Sequence, residues 1–412
     1  MPKLLQISIE VNSGSVGKIA EQIGETVLEE GWLSYITYAR NINPSKSEVI
    51  KIGNKFDLYE HGLETRIFDN HCFSSRSATK NLIKTIDQID PDIIHLHHLH
   101  GYFINVEILF IYLKKRATPV VWTFHDCWSF TGHCAYFDFV GCEKWKTECH
   151  HCEQKNEYPK SLFFDRSRKN YRDKKRIFNS LNNLTIVPVS YWLAEKVKDS
   201  FLMDYTCQVI QNGIDLNTFY IKNSRNTVNK MYPIKNKFVI LGVASTWEKR
   251  KGLDEFVKLS ELINNEVYTI ILVGLSSIQI SKLPKTIIGI ERTENLGQLV
   301  DLYSAADVFV NPTFEDTYPT TNLESMACGT PVITYRTGGS IESVNDNTGI
   351  VIDKGDVSEL VKAIEKIKNN GKGFYQNNCR EHSVKNFDKK IKFMDYYKLY
   401  EEILKNNSNE KQ

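Results

Sequence analysis

The sequence predicts an α/β protein of two Rossmann-like, doubly wound domains facing a cleft, each a parallel sheet wrapped by helices. Three observations carry this. Strand-like and helix-like segments alternate along nearly the whole chain, the pattern of a parallel sheet whose crossovers are helices. At 412 residues the chain is too long for one ordinary core. A polar stretch, Ile221–Lys237, separates two such series and reads as a linker.

In the first series Lys3–Glu10 alternates toward a buried strand. Val16, Ile19, Ala20, Ile23 and Val27 then recur at helical spacing, and Gly31 stops the helix. Strand Trp32–Ala39, helix Lys80–Ile89, strand Asp92–Leu96, helix Val106–Lys115 and strands Pro119–Phe124 and Leu184–Val189 follow. In the second series strands are expected at Phe238–Val243, Tyr268–Val273, Val308–Asn311 and Pro331–Thr334. Helices are expected at Leu253–Leu262, Leu296–Ala306, Asn322–Ala327 and Leu360–Ile367. The first domain is placed at residues 1–216, with a cysteine-rich insertion at about 127–160, and the second at 217–387. Ligands of such sheets bind beyond the carboxyl ends of the strands, which would line the cleft.

Composition narrows the class. Hydrophobic content of 41% and charged content of 25% fit a soluble globular protein. A net charge of +2 gives no global attraction to nucleic acid. The sequence shows neither a signal segment nor a long uncharged apolar span, so a cytoplasmic location is expected. There the nine cysteines would be reduced, and clustered ones favour metal over disulfides.

Near the start, "EVNSGSVGKIAEQIGETV" (Glu10–Val27) places Gly17-Lys18 after a small-residue loop. An NTP-cleaving loop needs a first glycine where Asn12 stands and a Ser or Thr where Ile19 stands. The three-glycine dinucleotide spacing is absent too. What remains is a turn into a helix N-terminus, whose free N–H groups suit an anion or a hydroxyl-rich ligand, or serve only as a connection.

The most informative stretch is "VNPTFEDTYPTTNLESMACGTPVITYRTGGSIESV" (Val310–Val344). A strand ends at Pro312, the carboxylates Glu315 and Asp316 sit in the next loop, and Pro319 and Thr320 introduce a short helix carrying Glu324. N–H groups near Thr320 and Thr321 would meet a diphosphate, aided by the helix dipole. Glu324, one turn inside, would accept both hydroxyls of a ribose, and Asp316 would hold sugar hydroxyls. With no Asp-x-Asp metal site evident, no catalytic metal is expected, and the fixed cations Arg250 and Lys251 would neutralise the diphosphate.

This stretch resembles the nucleotide-sugar signature of family 4 glycosyltransferases, retaining enzymes of the GT-B fold. "VIQNGIDLNTF" (Val209–Phe219) is similar to the family's Asn-Gly-Val-Asp hinge motif, and "LYSAADVFVNPT" (Leu302–Thr313) to its strand before the donor loop. "NTGIVIDKGDVSELVKAI" (Asn347–Ile364) is similar to its closing motif, and "TFHD" (Thr123–Asp126) to the stretch with its cleft histidine. The resemblance covers nearly the whole chain. It implies a hexosyltransferase that moves a sugar from a nucleotide-diphosphate donor, with retention, to a polysaccharide, glycan or undecaprenyl-linked acceptor. The setting would be bacterial capsule, exopolysaccharide or lipopolysaccharide synthesis. It further implies His125 beside the transferred sugar, Gly14 and Ser15 near the donor diphosphate, and Ser13, His97, His100 and Asp126 on the acceptor side. A helix at 388–405 would return to the first domain.

Three departures from the family pattern stand out. Asp316 replaces the first of two glutamates spaced eight apart, and is read as its equivalent. Thr317-Tyr318-Pro319 replaces the usual Gly-Phe-Gly. Lys251-Gly252 is kept, but Ser245 stands near the usual clamp arginine, so Arg250 is assigned that charge. These departures keep two alternatives in view: a catalytically silent GT-B subunit that binds a glycan or partner, and a nucleotide-sugar epimerase.

Three motifs lie outside that scheme. In "HLHHLHG" (His95–Gly101), His95 and His97 share a face and His98 points away, so a zinc site from all three is not expected. Cys134, Cys142, Cys149 and Cys152 include a Cys-x-x-Cys pair in an insertion read as lacking its own core, so a structural zinc could fold it. His150 and His151 are alternative ligands. The basic run Arg166–Arg176 reads as a solvated helix face, or as a contact with anionic lipid that would make the protein peripheral at the inner membrane face. Nucleic acid is not expected, because no recognition module accompanies it.

Overall fold

The computed structural model describes residues 1–410. The chain divides into two compact units, Met1–Gln211 together with the chain from Lys392, and Asn212–Ile391. In the first unit seven parallel strands are β1 (Lys3–Ile7), β2 (Leu33–Tyr38), β3 (Glu48–Lys51), β4 (Ile93–Leu96), β5 (Val120–Phe124), β6 (Leu184–Pro188) and β7 (Thr206–Cys207). They stand in the order β3-β2-β1-β4-β5-β6-β7. Every residue of β4 and β5 is buried, as central strands covered on both faces must be.

The second unit holds six parallel strands: β8 (Phe238–Val243), β9 (Tyr268–Val273), β10 (Ile287–Ile290), β11 (Val308–Asn311), β12 (Val332–Tyr335) and β13 (Gly349–Ile352). Their order is β10-β9-β8-β11-β12-β13. In both sheets the order reverses once, between β1 and β4 and between β8 and β11. Such switch points are where ligands bind at the strands' carboxyl ends.

The last helix, Lys389–Glu410, places Phe393, Tyr396, Leu399 and Tyr400 on one face, in the core of the first unit with Leu4, Ile93, Val121 and Val187. Buried tyrosine hydroxyls need partners. Tyr400 Oη lies 2.7 Å from His95 Nδ1 and Tyr396 Oη 3.1 Å from Thr123 Oγ1, while His95 Nε2 lies 2.8 Å from Thr123 Oγ1. His95 is thereby a packing residue, with both ring nitrogens engaged.

Ile221–Lys237 is not a free linker. It contains the helix Arg225–Met231, buries Val228 and Ile234, and is tied down by Arg225 Nη1 donating to Ala305 O at 2.7 Å and Asp307 Oδ2 at 2.9 Å. The cysteine-rich insertion also differs from expectation, because it has a core. Trp145 is stacked on Phe137 at 4.7 Å and tilted against Phe130 at 5.2 Å, with all three rings buried. Phe130, Phe137 and Trp145 lie at three separate 3-10 turns and not on one element, so no element's periodicity reveals them.

The basic run forms the helix Ser167–Phe178, but it is not a uniform solvated face. Arg168 and Arg172 pair with Glu148, Arg176 with Glu107, and Lys169 with Asp173. Lys174 is 1% exposed; its Nζ donates to Trp128 O at 2.8 Å and Thr131 O at 3.1 Å and lies 3.4 Å from the centre of the Trp128 ring. Burial lowers its pKa from 10.5 to about 7. The folded protein therefore gives up a proton that the unfolded chain keeps between pH about 7 and 10.5, so this group makes stability rise with pH across that window and is neutral to the slope below it. Lys174→Met is expected to flatten that slope. It should also destabilise the first unit by about 2–4 kcal/mol through two stranded carbonyls. Urea unfolding at several pH values checks both.

Among the described residues no helix is long and apolar enough to cross a membrane.

Candidate active site

In the second unit the predicted residues gather after β8 and β11. The β8 loop ends in the 3-10 turn Lys249–Lys251 and Gly252, whose φ of +76° requires glycine; a Cβ there would lie 2.2 Å from Pro312 O. This close approach brings the two loops together. Arg250 O accepts from Phe314 N at 2.6 Å and from Thr313 Oγ1 at 3.1 Å, and Arg250 Nη1 donates to Glu315 O at 3.0 Å. Arg250 Nε also lies 3.2 Å from Glu248. Arg250 thus braces the acidic loop as well as charging it.

Lys251 Nζ forms an ion pair with Asp316 Oδ2. The two side chains keep 21% and 12% of their surface exposed, so the pair is sheltered yet reachable. Burial works to raise the Asp316 carboxyl, but the Lys251 and then the Arg250 charges hold it below the usual carboxylate range. Burial, with Arg250 adding, lowers the Lys251 ammonium despite Asp316. Behind the pair, Gly338 at φ +51° lets Gly339 N donate to Asp316 O at 3.0 Å, where a Cβ on Gly338 would stand 1.9 Å from that oxygen.

Thr320 and Thr321 open the helix Thr320–Ala327, and Pro319 before it supplies no side-chain cap, which leaves the first N–H groups to a ligand or water. The helix is fixed from its buried side by Asn322. Asn322 Oδ1 accepts from Asn311 Nδ2 at 2.9 Å, and Asn322 Nδ2 donates to Ser340 O and Ser343 Oγ, both at 3.3 Å. Glu324 is half-buried and its Oε2 accepts from the hydroxyl of buried Tyr303 at 2.8 Å. Asp316, Thr320, Thr321 and Glu324 so form one loop-and-helix surface, with Lys251 paired onto it.

The first unit carries the other set at the carboxyl ends of β1, β4 and β5. Ser13 caps the helix Gly14–Glu29 in position only, without a side-chain bond, and Gly14 and Ser15 are exposed. Gln6, the one buried polar residue of β1, donates through Nε2 to Ala20 O at 2.8 Å, which turns Oε1 toward His97 Nε2 at 3.0 Å. Oε1 only accepts, so His97 Nε2 carries the proton. Burial holds His97 and His125 well below the usual histidine pKa, so both are neutral. His97 Nδ1 then accepts from His125 Nε2 at 3.2 Å, which makes Nδ1 the acceptor nitrogen of His125. His97 is 1% exposed, with both nitrogens engaged, so it positions His125.

Asp126 Oδ1 accepts from Trp128 N at 2.9 Å, and Oδ2 lies 2.7 Å from His100 Nε2 and 3.3 Å from His98 Nε2. Burial opposes its charge, but the charge and hydrogen bond of His100, then His98 and the Trp128 N–H, hold the carboxyl below its usual range. His98, read as pointing away, joins this group because the chain leaves the strand after Leu96.

The four insertion cysteines are less closely gathered. Cys152 is lowered to about 7, first by its hydrogen bond with Cys134, whereas burial pushes Cys149 up to about 12. A tetrahedral zinc set needs sulfurs about 3.8 Å apart. Among the described residues, ligand atoms within 4.8 Å of one another occur at His98, His100 and Asp126, and the four cysteines do not form such a group.

The residues that sequence reasoning overlooked are mostly those that hold others: Gln6, Tyr303, Asn322 and Gly338. A polar Gln6 inside the apolar run "KLLQI" was the clearest available signal.

Comparison with known proteins bears on what these sites do. Residues 43–218 match the family Glycosyltransferase Family 4, and residues 237–370 match Glycosyl transferases group 1. The chain is 24% identical over 375 residues to the "Putative colanic acid biosynthesis glycosyl transferase WcaC" of Escherichia coli K12, covering 87% of this chain and 89% of that protein. It is 23% identical over 209 residues to the "Capsular polysaccharide biosynthesis glycosyltransferase CapM" of Staphylococcus aureus, covering 47% of this chain and 54% of that one. Among solved structures, sucrose-phosphate synthase from Thermosynechococcus elongatus superposes with a TM-score of 0.72 at 17% identity over 98% of this chain and 99% of that one. HepE of Anabaena in complex with UDP-glucose superposes at 0.64 and 14% identity, covering 99% of both chains.

Proposed function

The chain belongs to the family 4 glycosyltransferases of GT-B fold, and on that premise we propose that it transfers a hexose from a nucleoside-diphosphate donor to a surface polysaccharide or lipid-linked glycan, with retention. The observation that carries the reading is the Lys251–Asp316 pair at the switch point of the second sheet, beside a helix start and Glu324. Lys251 is a point charge suited to a departing diphosphate, and the N–H groups at Thr320 and Thr321 add fixed dipoles. Glu324, aimed by Tyr303, takes the ribose hydroxyls. His125, oriented by His97, would hydrogen-bond a hydroxyl of the transferred sugar. Gly14, Ser15 and Ser13 supply helix-start N–H groups, and Asp126 and His100 serve the acceptor side. In the transfer, the bond from the anomeric carbon to the diphosphate breaks and its electron pair leaves on the phosphate oxygen. The acceptor hydroxyl forms the new bond on the same face and passes its proton to that oxygen.

The names of WcaC and CapM support a polysaccharide product, and the solved complexes of HepE with UDP and UDP-glucose support a uridine donor. An undecaprenyl-linked acceptor would bring the protein to the inner membrane face. The paired arginines of Arg166–Arg176 leave that helix little charge for anionic lipid. Within the same reading, Cys134, Cys142, Cys149 and Cys152 would draw together on a structural zinc.

A thermal-shift panel of UDP-, GDP- and ADP-sugars tests the donor site. Saturation at about 100 times Kd contributes about 2.7 kcal/mol, so one base class should raise the melting temperature by about 5–10 °C. No shift from any nucleotide sugar would sink the reading. A shift without release of nucleoside diphosphate, with acceptors supplied, would favour the silent subunit.

A further inference from the structure

The histidine-rich turn after β4 carries a feature beyond the acceptor-side role proposed for Asp126 and His100. His98 Nε2 and His100 Nε2 both converge on a single oxygen, Asp126 Oδ2, at 3.3 and 2.7 Å. The other end of each group is fixed. Asp126 Oδ1 is held by Trp128 N at 2.9 Å. Tyr158 Oη donates to His100 O, so its lone pair must accept from His100 Nδ1, 3.0 Å away. His100 Nδ1 therefore bears a proton, and Nε2 faces a carboxylate oxygen either as a second N–H donor or as a ligand atom. His98 Nε2 is also buried and makes no hydrogen bond, despite its approach to the same oxygen. A proton on His100 Nε2 would join that nitrogen to Asp126 and leave His98 Nε2 unserved, whereas a cation among the three atoms would engage all of them.

We propose that His98, His100 and Asp126 form a binding site for a divalent first-row transition cation. All three ligand atoms lie within 4.8 Å of one another. Two imidazoles and a carboxylate suit zinc, cobalt, manganese or iron, and three protein ligands leave coordination positions open. Ligands about 2.0–2.1 Å from a metal stand about 3.0–3.4 Å apart, so the His98–Asp126 separation fits as it is and the His100–Asp126 contact opens by roughly half an ångström. Tyr158 behind His100 and Trp128 N behind Asp126 are the outer partners that such ligands require. The His98 side chain is 25% exposed and gives the ion its entry. Metal uptake is read without donor or acceptor, so its failure is distinguishable from failure of the transferase reading, in which Asp126 and His100 serve the acceptor side.

Cobalt(II) added to the reduced full-length chain distinguishes this site from the cysteines. The expected result is uptake of a cobalt ion with visible d–d bands and no near-ultraviolet thiolate-to-cobalt charge transfer. His98→Ala, at the exposed edge, and Asp126→Asn should each weaken that spectral component by about 100-fold, at least matching the 10–100-fold cost of losing an outer partner. Near-ultraviolet circular dichroism verifies that each variant is folded. Uptake with thiolate charge transfer only, or none, would show that a proton alone bridges His100 and Asp126 and would overturn the proposal. So would a folded His98→Ala variant that binds cobalt as wild type does.

Discussion

Lys251→Ala is expected to lower turnover by about 10²–10³-fold, the scale on which loss of one preorganised charge partner acts. The geometry gives this lysine two duties. It neutralises Asp316 in a sheltered position, and it is the cation at the switch point that a donor diphosphate would meet. Removing it also strands a carboxylate that burial already disfavours, and breaking such a pair from one side can cost up to about 3–5 kcal/mol. A loss of activity by itself would therefore be ambiguous. The double variant Lys251→Ala/Asp316→Asn separates the two duties, because it removes the stranded charge without restoring the cation. Its melting temperature should recover toward wild type while its turnover stays low. Wild-type turnover in folded Lys251→Ala would remove the diphosphate role altogether. Recovery of both stability and turnover in the double variant would reduce the pair to a structural one.

Legibility of the sequence followed burial. Phe238–Val243, Leu253–Leu262, Tyr268–Val273 and Val308–Asn311 coincide with the observed elements to the residue, because buried runs of β-branched and aliphatic residues, or a one-sided apolar helix, leave no competing arrangement. The short strands Glu48–Lys51 and Gly349–Ile352 at the sheet edges were not visible, since an edge strand needs little apolar alternation. Helix Lys55–Phe68 is not legible because its apolar Phe56, Tyr59, Leu63 and Phe68 are exposed, so its apolar pattern does not mark a buried face. Helix Lys372–Asn386 buries just Tyr375, Cys379 and Ser383 over fifteen residues, too sparse a stripe to read.

The candidate site divides in the same way. Groups with a chemical signature in one segment, such as Asp316, Glu324 and the Lys251-Gly252 step, could be named from order and spacing. Groups defined by what they touch could not. Asn322 bonds to Asn311, Ser340 and Ser343, and the chain from Ala20 through Gln6 and His97 to His125 crosses more than a hundred residues. No periodicity records such contacts. One strand likewise gives no indication that Gln6 and His125 take both nitrogens of His97.

Glu324→Ala is expected to raise the donor KM by about 10–100-fold with a smaller change in kcat, because hydrogen bonds to a charged group contribute about 1.5–3 kcal/mol each and a ribose is bound equally before and during transfer. The fold should tolerate the change, as Glu324 is half-buried on a helix whose inward anchor is Asn322. Tyr303→Phe supplies an internal control. It removes the hydroxyl that holds Oε2 at 2.8 Å while leaving the carboxylate, so its effect should be smaller and in the same direction. A 2′-deoxyribose donor completes the cycle. It should bind wild type less tightly than the ribose donor, yet bind Glu324→Ala no worse than the ribose donor does, since the partner of the missing hydroxyl is already gone. Equal losses in both backgrounds would place the ribose elsewhere, and an unchanged KM in Glu324→Ala would dismiss the carboxylate from the donor site. The pattern expected here, with KM moved by Glu324 and turnover moved by Lys251, follows from the charge each presents: a diphosphate gains negative charge as the sugar departs, and a ribose does not.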